Sequence, residues 1–313
     1  MKKIFLFSLL FSLNAVAAVY GTDNRQLLSP SHSHYALSRS VAVLVPNNFI
    51  EDSKTVPGAK DLVTFPLSET QYLCPSERFA SQPSFHVSCT GFLIAPDLLM
   101  TAGHCAVTFD EVRDEANSYC TDFSWNFDFE ADSQGRVKTT GIPSENIYAC
   151  EKIIHAAHTS IPVSPTVIDF KDDFAIIKLK KIVKDRTPFK LTNARPLPGD
   201  KVMILGHPLG APKTISTGHI LSNEATYDRS NVHSFQGNSG SPMLNSKGEV
   251  FGILVRGYPP SLIEKPGQQC NVVNRCNVAG TSCTEPDPDG QRIGEHSMPI
   301  SLINKLKELG LVN

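Results

Sequence analysis

After about residue 40 the chain alternates short apolar runs with clusters of Gly, Pro, Asn and Asp. Runs of roughly four to eight β-branched or apolar residues between turn residues are typical of an all-β sandwich or barrel, whereas βα units would show helical patterns between the strands. We therefore predict strands over Val41–Val45, Phe85–Ser88, Thr90–Ile94, Asp97–Thr101, Phe174–Leu179, Lys201–Leu205 and Val250–Val255.

Three segments depart from this strand pattern. Thr192–Asp200 is polar and rich in turn residues, and we predict that it links two halves of the chain. Tyr258–Gly294 is a loop-rich insert that contains three cysteines and many prolines. Apolar residues at helical spacing predict an amphipathic C-terminal helix within Pro299–Leu309, and Gly310 is a natural stop for it.

The first eighteen residues have the pattern of an export signal. Lys2 and Lys3 precede the apolar stretch Ile4–Leu13, and residues 15–18 supply the small side chains that signal peptidase recognises. The apolar stretch is about ten residues long, whereas a membrane-spanning helix needs about 20. We expect residues 1–18 to be a signal peptide and the protein to be secreted or periplasmic.

The length and net charge of the chain after residue 18 limit its architecture and its partners. The 295 residues after the signal exceed one typical core, so we expect two subdomains or one large β architecture. The formal charge is −2 and becomes −4 without Lys2 and Lys3. Such a mild charge gives no reason to expect a nucleic acid or a membrane surface as partner, and we expect a monomer.

Eight cysteines indicate disulfide bonds, because an even number in an exported chain is typical of a disulfide framework. No Cys-x-x-Cys pair occurs, which argues against zinc. His155 and His158 could bind a metal at i, i+3 on a helix but lack a third ligand, and Glu285–Gly290 lacks the glutamate of a calcium loop. We expect no metal and no cofactor.

Three separated segments carry residues suited to hydrolysis by a hydroxyl group. This chemistry needs a base for the hydroxyl proton, a carboxylate that orients the base, and N–H donors for the oxyanion. The chain offers His104 within Leu99–Cys105, Asp173 within Asp172–Leu179, and Ser239 within Gln236–Pro242. An α/β-hydrolase would require the order Ser, Asp, His and a helix after the serine, where this chain has a proline.

These segments resemble those of chymotrypsin-like serine endopeptidases. Thr101–Cys105 is similar to the histidine segment, Asp173–Ile177 to the aspartate strand, and Gly237–Pro242 to the nucleophile loop. The resemblance implies an all-β fold of two packed antiparallel β-barrels, which hydrolyses peptide bonds in protein or peptide substrates. The implied catalytic triad is His104, Asp173 and Ser239, and the implied oxyanion hole is formed by the N–H groups of Gly237 and Ser239.

The resemblance also bears on the cysteines and the domains. The sixteen-residue offset from Cys89 to Cys105 matches a disulfide beside the catalytic histidine. We predict an N-terminal segment and a first barrel over 19–191, and a second barrel with the C-terminal helix over 192–313. For the other cysteines we expect a bond from Cys120 to Cys150, which both lie between the His and Asp segments, and one from Cys74 to Cys270, Cys276 or Cys283.

Within that family the chain resembles the bacterial glutamyl endopeptidases. Val19–Arg25 is similar to their mature N-terminus, and Gly206–Pro208 and Ser216–Ile220 are similar to further landmarks. In trypsin-type zymogens a new N-terminal amine pairs with an aspartate just before the serine, but this chain has Asn238 there. We therefore predict that a cut after Ala18 gives the active protein without a separate pro-segment.

The specificity of the two groups does not transfer to this chain. The glutamyl enzymes have a histidine where this chain has Leu254, and trypsin-like enzymes have an aspartate where it has His233. With no carboxylate expected at the base of the pocket, we predict cleavage after non-basic residues, with acidic or polar ones slightly preferred. The predicted substrate pocket consists of His233, Ser234, Leu254, Val255, Arg256 and Gly257.

A function of another class has to be weighed against the enzyme. Double-barrel folds also serve as binding proteins with weak or no catalytic activity, because a fold does not fix a function. Such proteins usually lose a triad residue or the oxyanion glycine, whereas this chain keeps both. The sequence therefore favours a serine-type endopeptidase.

Overall fold

The structure, a computed structural model, describes residues 18–86, 88–108, 111–113, 119–164, 167–258, 260–286 and 293–312. Residues 1–17 of the predicted signal peptide lie outside these ranges. Residues 287–290, part of the segment compared with a calcium loop, lie outside them as well. Strands dominate the described residues, and helices are few and short. No helix in these ranges is long and apolar enough to cross a membrane.

Six antiparallel strands close into a first barrel. Around it the order is β5, β4, β1, β2, β3 and β6, and β6 pairs back onto β5. Its interior is filled by large apolar side chains, among them Trp125, Phe127 and Leu99. The strands are β1 (Val41–Pro46), β2 (Thr90–Ala95), β3 (Leu98–Thr101), β4 (Phe123–Asn126), β5 (Ile147–Ser164) and β6 (Val167–Leu179).

Six further strands close into a second barrel. The order is β7, β10, β11, β12, β9 and β8, and β8 pairs back onto β7. Phe251, Met243 and Ile204 are part of its interior. The strands are β7 (Lys201–Gly206), β8 (Thr214–Asn223), β9 (Asp228–Ser230), β10 (Pro242–Leu244), β11 (Val250–Tyr258) and β12 (Gly294–Pro299).

The two barrels share an apolar core where they meet. Val41, Phe92 and Met100 from the first barrel belong to the same buried cluster as Leu205 and Leu244 from the second. The predicted fold class, two packed antiparallel barrels with a C-terminal helix, is confirmed.

Shorter elements decorate the barrels. The additional strands are Val19–Tyr20, Gln26–Leu27, Ile50–Asp52, Ala59–Leu62, Phe65–Pro66, Pro83–Ser84, Glu111–Arg113, Ile142–Pro143, Leu262–Glu264, Asn271–Val273 and Arg275–Cys276. The α-helices are Tyr35–Ser38, Leu67–Thr70, Tyr119–Asp122 and Asn304–Glu308. The 3-10 turns are Asn47–Phe49, Gly103–Cys105, Ser144–Asn146, Pro208–Gly210 and Ile300–Leu302.

The N-terminal segment is attached to the second barrel. Val19–Tyr20 pairs in parallel with Arg275–Cys276 in the insert, and Gln26–Leu27 pairs with the edge of β8. Val19 is fully buried. The start of the described chain is therefore packed close to the barrel that carries Ser239.

Most predicted strands are present, but two elements differ from the prediction. Phe85–Ser88 is not a strand in its described residues, because the N–H of Phe85 bonds to the Gly210 carbonyl of a loop and its ring packs 5.0 Å from that of Phe129. The C-terminal helix is shorter than predicted. It is divided by the non-helical backbone of Ile303 into a 3-10 turn and the helix Asn304–Glu308.

The disulfides agree with the predicted pairs and complete them. Cys89 is bonded to Cys105, and Cys120 to Cys150. The partner of Cys74 is Cys270, which ties the segment before the first barrel to the insert. The remaining bond joins Cys276 to Cys283 within the insert.

Candidate active site

His104 lies on a tight turn that follows β3. The turn Gly103–Cys105 fits against β5 because Gly103 has no side chain, and a Cβ at this position would collide with the Ala157 carbonyl. The disulfide from Cys105 to Cys89 holds the other side of the turn. The His104 side chain remains about a quarter exposed.

Asp173 orients the His104 ring from the adjacent strand β6. Its carboxylate accepts hydrogen bonds from His104 Nδ1 at 2.9 and 3.1 Å and from the backbone N–H of His104 at 2.9 Å. A carboxylate can only accept, so Nδ1 carries the proton and neutral His104 keeps its lone pair on Nε2. This is the tautomer that a general base requires.

The pair also shifts the protonation of both side chains. Burial alone would lower the pKa of His104, but the Asp173 charge and hydrogen bond outweigh it and raise the pKa above its ordinary 6.5. Burial would raise the pKa of Asp173, but His104 and the charge of His158 hold it below its ordinary 3.8. The carboxylate is therefore ionised at neutral pH.

Ser239 lies on a loop of the second barrel that packs against the His104 turn. The Ser239 carbonyl accepts a 2.8 Å bond from the N–H of Thr90, and Cys105 Sγ lies 3.9 Å from the same oxygen. Gly240 fits here because a Cβ would collide with the Thr90 carbonyl and the Thr101 hydroxyl. Within the described chain the Ser239 hydroxyl makes no hydrogen bond. In ligand-free enzymes catalytic hydrogen bonds are often long or poorly aligned, and they tighten when substrate binds.

Two backbone N–H groups of this loop are left for a ligand. The amides of Asn238, Gly240 and Ser241 all bond to protein carbonyls. In the part of the chain that the structure describes, those of Gly237 and Ser239 bond to none. Gly237 has φ +91°, and a Cβ on it would lie 2.7 Å from the His207 carbonyl, so only glycine suits this turn. Two free N–H donors on one tight loop suit the stabilisation of an oxyanion.

A family model described as a trypsin-like peptidase domain matches residues 89–253, more than half of the chain. The chain belongs to this family. The match includes the His104, Asp173 and Ser239 segments. At the level of the family, the prediction of a serine-type endopeptidase is confirmed.

One curated relative is a probable periplasmic serine endoprotease, DegP-like, from Buchnera aphidicola subsp. Baizongia pistaciae, 36% identical over 95 residues. The aligned part is 27% of this chain and 20% of the relative, so the chain spans about a fifth of that protein. A solved Glu endopeptidase in complex with MPD is 16% identical with a TM-score of 0.47, over 93% of this chain and 99% of that one. The serine endoprotease from Yersinia pestis is 14% identical with a TM-score of 0.42, over 89% and 65%.

In this trypsin-like peptidase, the predicted base of the substrate pocket is covered by the N-terminal segment. His233 Nε2 lies 3.0 Å from the Tyr20 carbonyl, and its Nδ1 accepts from the N–H of Asn24 at 3.3 Å. Asp23 lies 3.7 Å from the same ring. Both ring nitrogens of His233 therefore have protein partners.

Ser234, the second residue predicted at the base of the pocket, contacts a carboxylate that sequence reasoning missed. Its hydroxyl donates to Glu295, which is fully buried on β12. Burial raises the pKa of Glu295 to about 8, against the hydrogen bonds from Ser234, Ala18 and Tyr20 that lower it. A buried carboxylate therefore lies behind Ser234, and the preference for non-basic residues stays a prediction. No sequence pattern marked Glu295, since it directly follows a loop-rich insert.

The four predicted wall residues lie on one strand, but their side chains have different surroundings. Leu254 belongs to the interior cluster of the second barrel, and Val255 to the cluster between the barrels. Arg256 is buried, donates to His296 Nδ1 at 3.1 Å and lies 5.1 Å above the Tyr227 ring. Gly257 pairs with Glu295 across the sheet.

Among the described residues, the histidines and cysteines near the site are not arranged as a zinc centre. His155 and His158 lie on strand β5 and not on a helix, and the His158 ring is 5.7 Å from that of His104. Cys89, His104 and Cys105 have ligand atoms within 4.8 Å of one another, but both sulphurs are joined in a disulfide. Thiolates, which zinc needs, are therefore not available there.

Proposed function

We propose that the protein is an exported serine endopeptidase that hydrolyses peptide bonds with His104, Asp173 and Ser239. The observation that carries the proposal is the pair of hydrogen bonds from His104 Nδ1 to Asp173, beside a loop that presents Ser239. This pair leaves Nε2 as the basic nitrogen, and membership of the trypsin-like family supports its use in peptide hydrolysis.

The proposed reaction proceeds in two stages. His104 Nε2 takes the proton of the Ser239 hydroxyl as the oxygen attacks the peptide carbonyl, and the N–H groups of Gly237 and Ser239 stabilise the oxyanion. The imidazolium, stabilised by Asp173, then gives its proton to the leaving amine. Water, activated by the same base, hydrolyses the acyl-enzyme and restores Ser239.

Location, substrates and domain limits are part of the same proposal. Protein or peptide substrates follow from the reaction, and export follows from the signal pattern of residues 1–18. The curated relative is named as periplasmic, which supports this location. We place the division between the two halves of the protein at 191 and 192, ahead of β7.

Labelling with a fluorophosphonate probe tests the proposal, because only an activated serine reacts. Ser239 is expected to be the labelled residue, and both labelling and peptide hydrolysis should be lost in Ser239→Ala. Ser246→Ala is the control, since Ser246 is exposed on a turn of the second barrel. Absence of labelling in the folded wild-type protein would favour the alternative, a double-barrel binding protein with weak or no activity.

A further inference from the structure

Met298 on β12 contacts the backbone of the residue that orients His104. The N–H of Asp173 donates to the thioether sulphur of Met298, with 3.5 Å between the nitrogen and Sδ. Met298 is buried in the apolar cluster that the two barrels share. It belongs to the second barrel, whereas Asp173 belongs to the first. The contact therefore crosses the boundary between the barrels at the proposed catalytic carboxylate.

The strand arrangement places this N–H where no neighbouring strand can bind it. The N–H of Leu179 bonds to the carbonyl of Asp97 just before β3, and alternate residues of a strand point their N–H groups to the same side. The N–H of Asp173 therefore points toward the β3 side of β6. In the described chain, the pairing of β6 with β3 begins at Ala175, opposite Thr101. A buried N–H needs an acceptor, and the thioether, although a weak one, supplies it where the strand bonds end.

Met298 also lies on the route from Asp173 to the nucleophile loop. It pairs across the sheet with Ile253 on β11. The next residue of β11, Leu254, is bonded to both residues that follow Ser239. Its carbonyl accepts from the first at 2.8 Å, and its N–H donates to the second at 2.9 Å. The carboxylate and the nucleophile are therefore connected by contacts that do not pass through the histidine.

We propose that Met298 is a positioning residue for the triad, and that its sulphur fixes the backbone of Asp173 relative to the Ser239 loop across the boundary between the barrels. The inference rests on the proposed peptidase function, because it concerns the triad of that enzyme. Without the sulphur, the Asp173 N–H loses this acceptor, and a shift of the carboxylate lengthens its bonds to His104. Small misplacements of a catalytic group lower the rate of the chemical step.

Other charged groups face the His104–Asp173 pair from three strands. Burial raises the pKa of Asp173, whereas His104 and then the charge of His158 on β5 lower it. Burial lowers the pKa of His104, Asp173 raises it, and the charge of Arg256 on β11 lowers it. Lys171 on β6 and Arg256 line the cleft beside Asp173. A weaker bond from Asp173 would therefore leave burial and Arg256 to bring the pKa of His104 down.

Met298→Leu tests the inference, because leucine keeps the apolar volume but offers no acceptor. We expect kcat on a peptide substrate to fall about three- to tenfold, with KM within about twofold, because a displaced base affects the chemical step. The midpoint of kcat/KM against pH should move down, since Asp173 then raises the pKa of His104 less.

Met100→Leu is the matched control. Met100 is fully buried in the same cluster and pairs with Ile176 on β6, three residues from Asp173. Among the described residues its sulphur accepts no hydrogen bond. Met100→Leu should keep kcat within about twofold and leave the midpoint unchanged. An unchanged midpoint in Met298→Leu, or equal shifts in the two variants, would overturn the inference, because altered packing alone would then explain the data.

Norleucine at position 298 gives a sharper comparison, because it replaces only the sulphur by a methylene group. It is introduced by growth on norleucine in a protein whose other internal methionines are leucines, namely Met100, Met203 and Met243. The same protein with methionine at 298 is the reference. The loss of kcat and the lower midpoint should recur with norleucine. Identical pH profiles of the two proteins would overturn the inference, even where Met298→Leu does not fold.

Proton NMR separates this inference from the proposed function. In Ser239→Ala proteins, the signal of the proton on His104 Nδ1 reports the bond to Asp173 without any turnover. Met298→Leu should move this signal to higher field and Met100→Leu should not, and an unmoved signal in Met298→Leu would overturn the inference. Absence of fluorophosphonate labelling in the wild-type protein would refute the peptidase function, and the Nδ1 proton would still decide whether Met298 positions Asp173.

Discussion

The hydroxyl of Thr90 donates a 2.8 Å hydrogen bond to the carbonyl of Gly237, and it accepts a 3.0 Å bond from the N–H of His207. Thr90 lies on β2 of the first barrel and is fully buried, whereas Gly237 and His207 belong to the second. On the other side of Gly237, the Gln236 carbonyl accepts from the N–H of Leu209 at 2.5 Å. The two peptide groups that flank Gly237 are therefore both fixed, which sets the direction of its N–H.

Thr90→Val should lower kcat, although the changed side chain does not contact the substrate. Valine keeps the shape of the side chain but leaves the Gly237 carbonyl and the His207 N–H without this partner, a loss of about 1–3 kcal/mol. We expect kcat to fall about tenfold or more with KM nearly unchanged, because the oxyanion donor is displaced mainly in the transition state. Steady-state kinetics measure the split, and Thr90→Ser should restore most of kcat.

Substitution of the proposed triad residues should have graded effects. Ser239→Ala and His104→Ala should each lower kcat by about 10⁶, because either change removes the nucleophile–base unit. Asp173→Asn should lower kcat by about 10⁴, since the imidazole then adopts the wrong tautomer. Circular dichroism checks that each variant is folded. A Ser239→Ala protein with nearly wild-type hydrolysis would contradict the mechanism.

The pH dependence of hydrolysis should report the His104–Asp173 pair. Only neutral His104 accepts a proton, so kcat/KM should rise with pH through a midpoint above 6.5, the ordinary value that Asp173 raises. In Asp173→Asn the charge is lost and burial remains, so the midpoint of the residual activity should move down. A pH profile of both proteins measures this, and identical midpoints would contradict it.

The His104–Asp173 pair should also make the free energy of unfolding depend on pH. The folded pKa of His104 is raised, so its stabilising contribution is complete below 6.5 and is lost as pH rises through the folded value. The folded pKa of Asp173 is lowered, so its contribution is complete above 3.8 and is lost as pH falls through the folded value. Urea unfolding of wild type and Asp173→Asn should therefore differ most between about pH 4 and pH 6.5.

The barrels and the triad segments could be predicted from the sequence because their signals are local. Strands such as Val41–Pro46 are apolar runs of β-branched residues, and the His, Asp and Ser segments carry short motifs. The strand Gly294–Pro299 has no such signal. Its six residues are all buried, yet they include Glu295, His296 and Ser297, so no apolar pattern reveals the strand.

The contact of the N-terminal segment with the base of the predicted pocket could not be predicted from the sequence. It depends on polar contacts between residues that are distant in sequence. Tyr20 reaches His233 across 213 positions of sequence and Glu295 across 275. Neither contact follows from periodicity or from spacing. The helix on which a metal-binding pair of His155 and His158 would depend does not occur, because both residues lie on strand β5. The long strand Ile147–Ser164 pairs with its neighbour through several register shifts, and these disturb a simple alternating pattern.

Removal of the disulfide beside His104 should weaken both stability and activity. The bond from Cys89 to Cys105 closes a sixteen-residue loop, which corresponds to about 3 kcal/mol in the free energy of unfolding. The double variant Cys89→Ala/Cys105→Ala should show this loss in urea and a lower kcat, since the turn that carries His104 is released. Cys120→Ala/Cys150→Ala is the control, because Cys150 lies seven residues along β5 from Ala157, the residue that the His104 turn packs against, and it should leave kcat closer to wild type.

Cleavage specificity should exclude basic residues even though a carboxylate lies behind the predicted pocket. Glu295 is covered by the hydroxyls of Ser234 and Tyr20, so a lysine or arginine side chain of the substrate would lose water without reaching a counter-charge. In a peptide library, kcat/KM after Lys or Arg should be at least about tenfold below the best non-basic residue. Tyr20→Ala should uncover Glu295 and raise cleavage after Lys, whereas Tyr20→Phe, which keeps the ring in place, should raise it much less. Efficient cleavage after Lys or Arg by the wild-type protein would show that the carboxylate is open to the substrate and that Tyr20 does not shield it.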